Sequence, residues 1–98
     1  MEVCFRQAFL SRLESNVRFD RGFPEAVVSA YRNRMQTIRA APDERVFYAM
    51  KSLRFEKVKG KRDHQHSMRL NDQWRLVVEF EGKAPDKVVV VVDIEDYH

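Results

Sequence analysis

The chain has 98 residues, 44% of them hydrophobic and 34% charged, with a formal net charge of +3. That length supports one domain over residues 1–98 with a modest core, and the periodic placing of the apolar residues excludes a disordered chain. A single cysteine, no basic segment leading into an apolar one near Met1, and no run of about twenty apolar residues exclude a disulfide framework and a membrane span, making the cytosol the expected compartment.

Glu2 to Gln7 reads as a short strand, with Cys4 in the apolar run Val3-Cys-Phe5 expected as a packed thiol without chemistry. Phe9, Leu10 and Leu13 have helical spacing, so a first helix is predicted over Ala8 to Asn16. Gly22 and Pro24 interrupt it. Pro24 suits the first turn of a second helix whose apolar stripe is Val27, Val28, Tyr31, Met35 and Ile38, and Pro42 ends that helix. Its other face carries Arg32, Arg34, Gln36 and Arg39, which reads as a solvated surface, an RNA or partner contact being the alternative. Asp43 to Ser52 is ambiguous and compatible with a short helical turn.

From about Leu53 the period changes from helical to alternating. In Gln73 to Phe80, Trp74, Leu76, Val78 and Phe80 share one face and Arg75, Val77 and Glu79 the other, so Arg75 points away from the main core. The preceding strand alternates His66, Met68 and Leu70 with Ser67 and Arg69. A three-residue connection, Asn71-Asp72-Gln73, pairs Leu70 with Trp74, Met68 with Leu76 and Arg69 with Arg75, whereas a two-residue loop would oppose Arg69 to Trp74 and mix the faces. The three-residue loop is therefore expected. It sets two arginines side by side, an arrangement that costs stability unless an acid or an anion lies between them, and so suggests a phosphate site. Val88 to Val92 is β-branched throughout and apolar on both faces, as suits a central strand that delivers Asp96, Tyr97 and His98 at its end. The expected fold class is α+β, two leading helices packed on a mainly antiparallel twisted sheet.

Charge is concentrated in the same region. Eight of the 18 Lys and Arg residues lie between Lys51 and Arg75, against Glu56, Asp63 and Asp72, so that stretch carries +5 and the remainder −2. A localised basic patch on a sheet is the footprint of a polyanionic partner. CxxC pairs, HExxH and glycine-rich phosphate loops are missing, and His64 and His66 have no acid or thiol at a recognised metal spacing, so no metal and no nucleotide cofactor are predicted.

Leu53-Arg-Phe-Glu-Lys-Val-Lys-Gly60, Ser67-x-Arg69-x-Asn71-Asp72-x-Trp74-Arg75 and the closing Asp96-Tyr97-His98 together resemble the HigB group of the RelE/ParE toxin superfamily. The resemblance is strong from Leu53 onward and rests on length and element order before it. It implies a bacterial type II toxin with a RelE-like fold, an endoribonuclease that cuts mRNA in the ribosomal A site. A cognate HigA-like antitoxin, often with a helix-turn-helix, would neutralise it and would bring operator DNA only to the complex. Lys59 corresponds to the family's lysine before the glycine, Arg75 to the arginine after the tryptophan, and Tyr97 with His98 to the C-terminal catalytic pair. Glu56 departs from the histidine of well-known HigB members but coincides with a glutamate resembling the catalytic base of YoeB-type relatives. Arg69 falls on a frequent basic position, while Lys57, Lys61 and Arg62 are additional cations assigned as RNA contacts only.

The residues also support that chemistry without the family. RNA cleavage needs a base near the 2′-hydroxyl, an acid for the departing 5′-oxygen, and cations for the charge gathering on phosphoryl oxygens. Glu56 is the candidate base and His98, an imidazole of ordinary pKa near 6.5, the candidate acid. Lys59 and Arg75 are the charge stabilisers, and Tyr97 is a hydrogen-bond donor or stacking face. Surrounding cations weaken Glu56 as a base, so positioning of the nucleotide by the ribosome is expected to supply much of the rate. Two other readings use the same fold: a ParE-like gyrase poison, whose members usually lack the terminal Tyr-His pair, and a catalytically weak relative serving as an antitoxin-binding operon regulator.

Overall fold

The computed structural model describes residues 1–97; His98 lies outside the described residues. The chain begins with strand β1, Glu2–Phe5, then helices α1, Ala8–Ser15, and α2, Glu25–Ala40. A short helix α3, Arg45–Ala49, and a 3₁₀ turn at Lys51–Leu53 lead into β2, Glu56–Lys57. After a second 3₁₀ turn at Gly60–Arg62 come β3, His66–Arg69, β4, Trp74–Glu81, and β5, Val88–Asp96. The architecture is α+β, as expected, with three helices where two were predicted. The third occupies the ambiguous Asp43–Ser52 stretch and buries Phe47.

The five strands form one sheet in the order β1-β5-β4-β3-β2. The valine strand β5 is thus flanked on both sides, which its two-faced apolarity required. Its pairing with β1 is parallel and every other pairing is antiparallel, making the sheet mixed. Cys4 was expected inside but is exposed: in β1, Val3 and Phe5 pack against the core while Cys4 alternates to the opposite side.

The stripe of α2 lies wholly in the core, where Val27, Tyr31, Met35 and Ile38 are inaccessible to solvent, together with Leu10 and Leu13 of α1. The hydroxyl of Tyr31 donates to the Leu10 carbonyl at 2.8 Å. The arginines of α2 are not simply solvated. Arg32 donates to the carbonyls of Leu13, Asn16 and Phe19, capping the carbonyl-rich end of α1 with a cation, and Arg34 donates to the Arg69 carbonyl. Arg39 forms a two-pronged pair with Glu14.

A one-residue irregularity sets the phase of β5. Val77 pairs with Asp93 and Val78 with Val91, so Val92 is an extra residue, and its carbonyl accepts a hydrogen bond from the Gln7 side chain at 2.9 Å. Before the bulge Val89 and Val91 face the core; after it Ile94 does. An unbroken alternation would have turned Asp93 and Glu95 toward the helices. The bulge instead keeps both on the outer face, opposite Val77 and Arg75.

Candidate active site

The outer face of the sheet is built as cross-strand rows. Arg69, Arg75 and Glu95 are paired in one, and Glu56, Ser67, Val77 and Asp93 in the next. The Asn71-Asp72-Gln73 connection that fixes this register is the expected three-residue loop. The Leu70 N–H donates to the Trp74 carbonyl, and the Asn71 side-chain oxygen accepts from the N–H groups of Gln73 and Trp74. Side-chain acceptors of this kind hold tight turns.

A cleft of about 480 Å³ opens here, lined by Arg54, Phe55, Glu56, Arg69, Asn71, Asp72, Arg75 and Tyr97. Arg75 points away from the main core as its alternation predicted, yet it is only 7% exposed. Its Nε donates to the Ser67 hydroxyl at 2.8 Å, and its Nη2 to the Arg54 carbonyl at 2.6 Å and the Ser67 carbonyl at 3.2 Å. The Glu56 carboxylate stands 3.7 Å from the same Nη2, with its side chain 63% exposed to whatever enters the cleft. The Tyr97 ring lies 5.2 Å from the Arg75 guanidinium carbon, within cation–π range, and half of the residue remains open to solvent.

Tyr97 is held there by the hairpin: its N–H donates to the Gln73 carbonyl at 2.8 Å, and the Gln73 side chain donates to Asp96 at 2.9 Å. His98 follows directly in sequence, and its assignment concerns a residue outside the described ones.

The expected pairing of Arg69 with Arg75 is present, and its cost is relieved by separate acids. Arg69 bonds Asp72, whose carboxyl is held below the usual carboxylate range chiefly by that hydrogen bond, while Arg75 faces Glu56. Glu95, the direct cross-strand neighbour of Arg75, is taken up by Arg62 at 2.6 Å, and Arg62 also bonds the Gln65 side chain. Arg62 is therefore committed to a protein carboxylate and does not line the cleft.

Lys57, Lys59 and Lys61 are exposed on the segment leading from β2 through the second 3₁₀ turn, and none of them lines the cleft. The structure thus brings together Glu56, Arg69, Arg75 and Tyr97, while Lys57 alternates to the side of the sheet where His66 lies, and Lys61 and Lys59, the latter expected beside Arg75 as a charge stabiliser, stand exposed outside the cleft.

Arg54 was not singled out from the sequence. It is the second of two non-glycine residues with positive φ, at φ 46° and ψ 51°, the left-handed region. That turn aims its carbonyl at Arg75 and leaves its side chain lining the cleft. No sequence signal marked it beyond its place in the quoted Leu53-to-Gly60 segment, because left-handed backbone is expected of glycine or asparagine.

Among the described residues no three His, Cys, Asp or Glu side chains converge as a metal site would require, and no helix is long and apolar enough to cross a membrane. The arrangement offers a polyanion three guanidinium groups, and offers a proton an exposed carboxylate.

Comparison with curated proteins finds no match. Among solved structures the fold is similar to that of a YoeB/ParE toxin from Agrobacterium tumefaciens, with a TM-score of 0.63 over 100% of both chains at 14% identity. That likeness speaks for the fold alone. The family model described as RelE-like toxin of type II toxin-antitoxin system HigB matches residues 3–98. On that match, which covers all but the first two residues, the chain belongs to the HigB-like toxin family.

Proposed function

We propose that this toxin is a ribosome-dependent endoribonuclease that cuts mRNA by general acid–base chemistry and is silenced by a cognate HigA-like antitoxin. The observation that carries the reading is the packing of Arg75 beside Glu56 and Tyr97 in one cleft, a buried and oriented cation next to an accessible base and an aromatic face.

In this mechanism Glu56 takes the proton of the 2′-hydroxyl. The 2′-oxygen forms a bond to phosphorus as the bond from phosphorus to the 5′-oxygen breaks, and His98 returns a proton to that oxygen. The products are a 2′,3′-cyclic phosphate and a 5′-hydroxyl. Arg75, aided by Arg54 and Arg69, stabilises the charge growing on the non-bridging oxygens, which a preorganised cation does without reorganising during the step. Tyr97 offers a stacking surface to an unstacked base. The exposed Lys57, Lys59 and Lys61 add positive charge for the RNA backbone outside the cleft. A carboxylate is a weak base for a hydroxyl proton, so the nucleotide must arrive already aligned, and the ribosomal A site supplies that alignment.

The test is brief induction in cells with 5′-end mapping of mRNA, comparing the wild type with His98→Ala and Arg75→Ala. Breaks inside translated codons that disappear in both variants are expected. Growth arrest with intact mRNA and damaged DNA would instead indicate gyrase poisoning, and no arrest would indicate an antitoxin-binding regulator; either overturns the nuclease reading.

A further inference from the structure

The nuclease reading leaves the buried Ser67 without a role, and we propose that Ser67 is the positioning residue that aims Arg75 at the substrate phosphate. The inference rests on that reading for its consequence and on geometry for its substance. Ser67 is inaccessible to solvent although serine has little reason to be buried without a task, and its hydroxyl stands 2.8 Å from the Arg75 Nε. Its carbonyl accepts from the Nη2 of the same side chain, so one residue grips two corners of the guanidinium, while the left-handed turn at Arg54 supplies the third acceptor.

These bonds use Nε and Nη2. Among the described residues nothing accepts a hydrogen bond from Nη1, so the two donors of that nitrogen are left for a ligand of a residue that lines the cleft. Arginine recognises phosphate through a rigid planar fork, and an immobilised fork is useful only if its free edge points at the oxygens. The position of Ser67 follows from the sheet. It is directly opposite both Glu56 in β2 and Val77 in β4, and so sits diagonally from Arg75, two residues before Val77. The residue paired with the candidate base thereby also fixes the candidate charge stabiliser.

Ser67→Ala removes one oxygen atom and leaves the strand pairing intact. Two readouts separate positioning from simple support of the fold. In the free, full-length protein, the Nε–H resonance of Arg75, identified by its loss in Arg75→Ala, is expected to exchange slowly with water and to exchange at least tenfold faster in Ser67→Ala. In single-turnover cleavage of ribosome-bound mRNA, Ser67→Ala is expected to lose about ten- to hundredfold in rate with little change in the concentration needed for saturation, and to cause no further loss in an Arg75→Ala background. An equal loss with and without Arg75, an undiminished rate, or an unchanged Nε–H exchange overturns the proposal. Absence of cleavage by the wild type removes the nuclease reading instead, and the exchange measurement alone then decides whether Ser67 holds Arg75.

Discussion

Arg54 combines a backbone that suits glycine with a side chain that faces the cleft, and two substitutions separate these properties. In the left-handed region a residue with a Cβ is disfavoured by about 1–2 kcal/mol relative to the right-handed one, a cost that glycine avoids. Glycine in turn loses more conformational freedom on folding, by roughly 0.5–1 kcal/mol. Arg54→Gly should therefore be more stable than Arg54→Ala by about 0.5–1 kcal/mol, which is a few degrees in Tm for a domain of this size. Both variants retain the carbonyl that receives Arg75 and lose the same guanidinium from the cleft. Both should accordingly lose cleavage of ribosome-bound mRNA alike, by about a hundred- to thousandfold, as removal of one charge-stabilising donor does. Urea unfolding gives the stabilities and single-turnover cleavage the rates. Full activity in Arg54→Gly would show that the guanidinium takes no part, and an Arg54→Gly protein less stable than Arg54→Ala would refute the strain argument.

Two further outcomes test the core. Tyr31→Phe removes the buried hydroxyl bonded to Leu10 and should cost about 1 kcal/mol, lowering the urea midpoint with an unchanged slope; an unshifted midpoint would mean that bond contributes nothing. His66 stacks on Phe55 at 4.9 Å and meets Phe80 edge-on, with its Nδ1 buried and unpartnered. Burial pushes its pKa below the ordinary imidazole value, against the opposing pull of Glu44. The unfolded chain thus takes up this proton at higher pH than the native one, so its neutral-state stability is whole above about pH 6.5 and declines as pH falls from there toward the lower native value. His66→Phe should flatten that part of the urea midpoint profile between pH 7 and 5, and parallel profiles for the two proteins would contradict this.

Much of the outer face was legible because a strand has a period of two. The hairpin loop could have only one length if Leu70, Met68, Trp74 and Leu76 were to share a face, and this length put Arg69 beside Arg75. The continuous valines of β5 likewise had to have a neighbour on each side. What escaped was tertiary. Nothing local tells β1 to lie parallel to a strand more than eighty residues away, or tells Val92 to bulge. The burial of Arg75 depends on Ser67, the Arg54 carbonyl and the Tyr97 ring arriving from three other places in the chain. Arg62 looked like one more free cation until Glu95, thirty-three residues on, claimed it. The same blindness made the arginines of α2 look solvated, since Arg32 and Arg34 bond backbone carbonyls, which no side-chain pattern reports, and Arg39 bonds Glu14 from another helix.

The central place of β5 has a bearing on how the toxin comes into being. Until residues 88–96 have been synthesised, β1 has no partner at all, and β4 has a neighbour on one side only. The parallel pairing of β1 with so distant a strand is slow to form and does not begin with a local hairpin. Tyr97 comes into the cleft on the end of that same strand. A nascent chain is accordingly without its finished cleft until β5 has emerged and paired and Tyr97 has followed it.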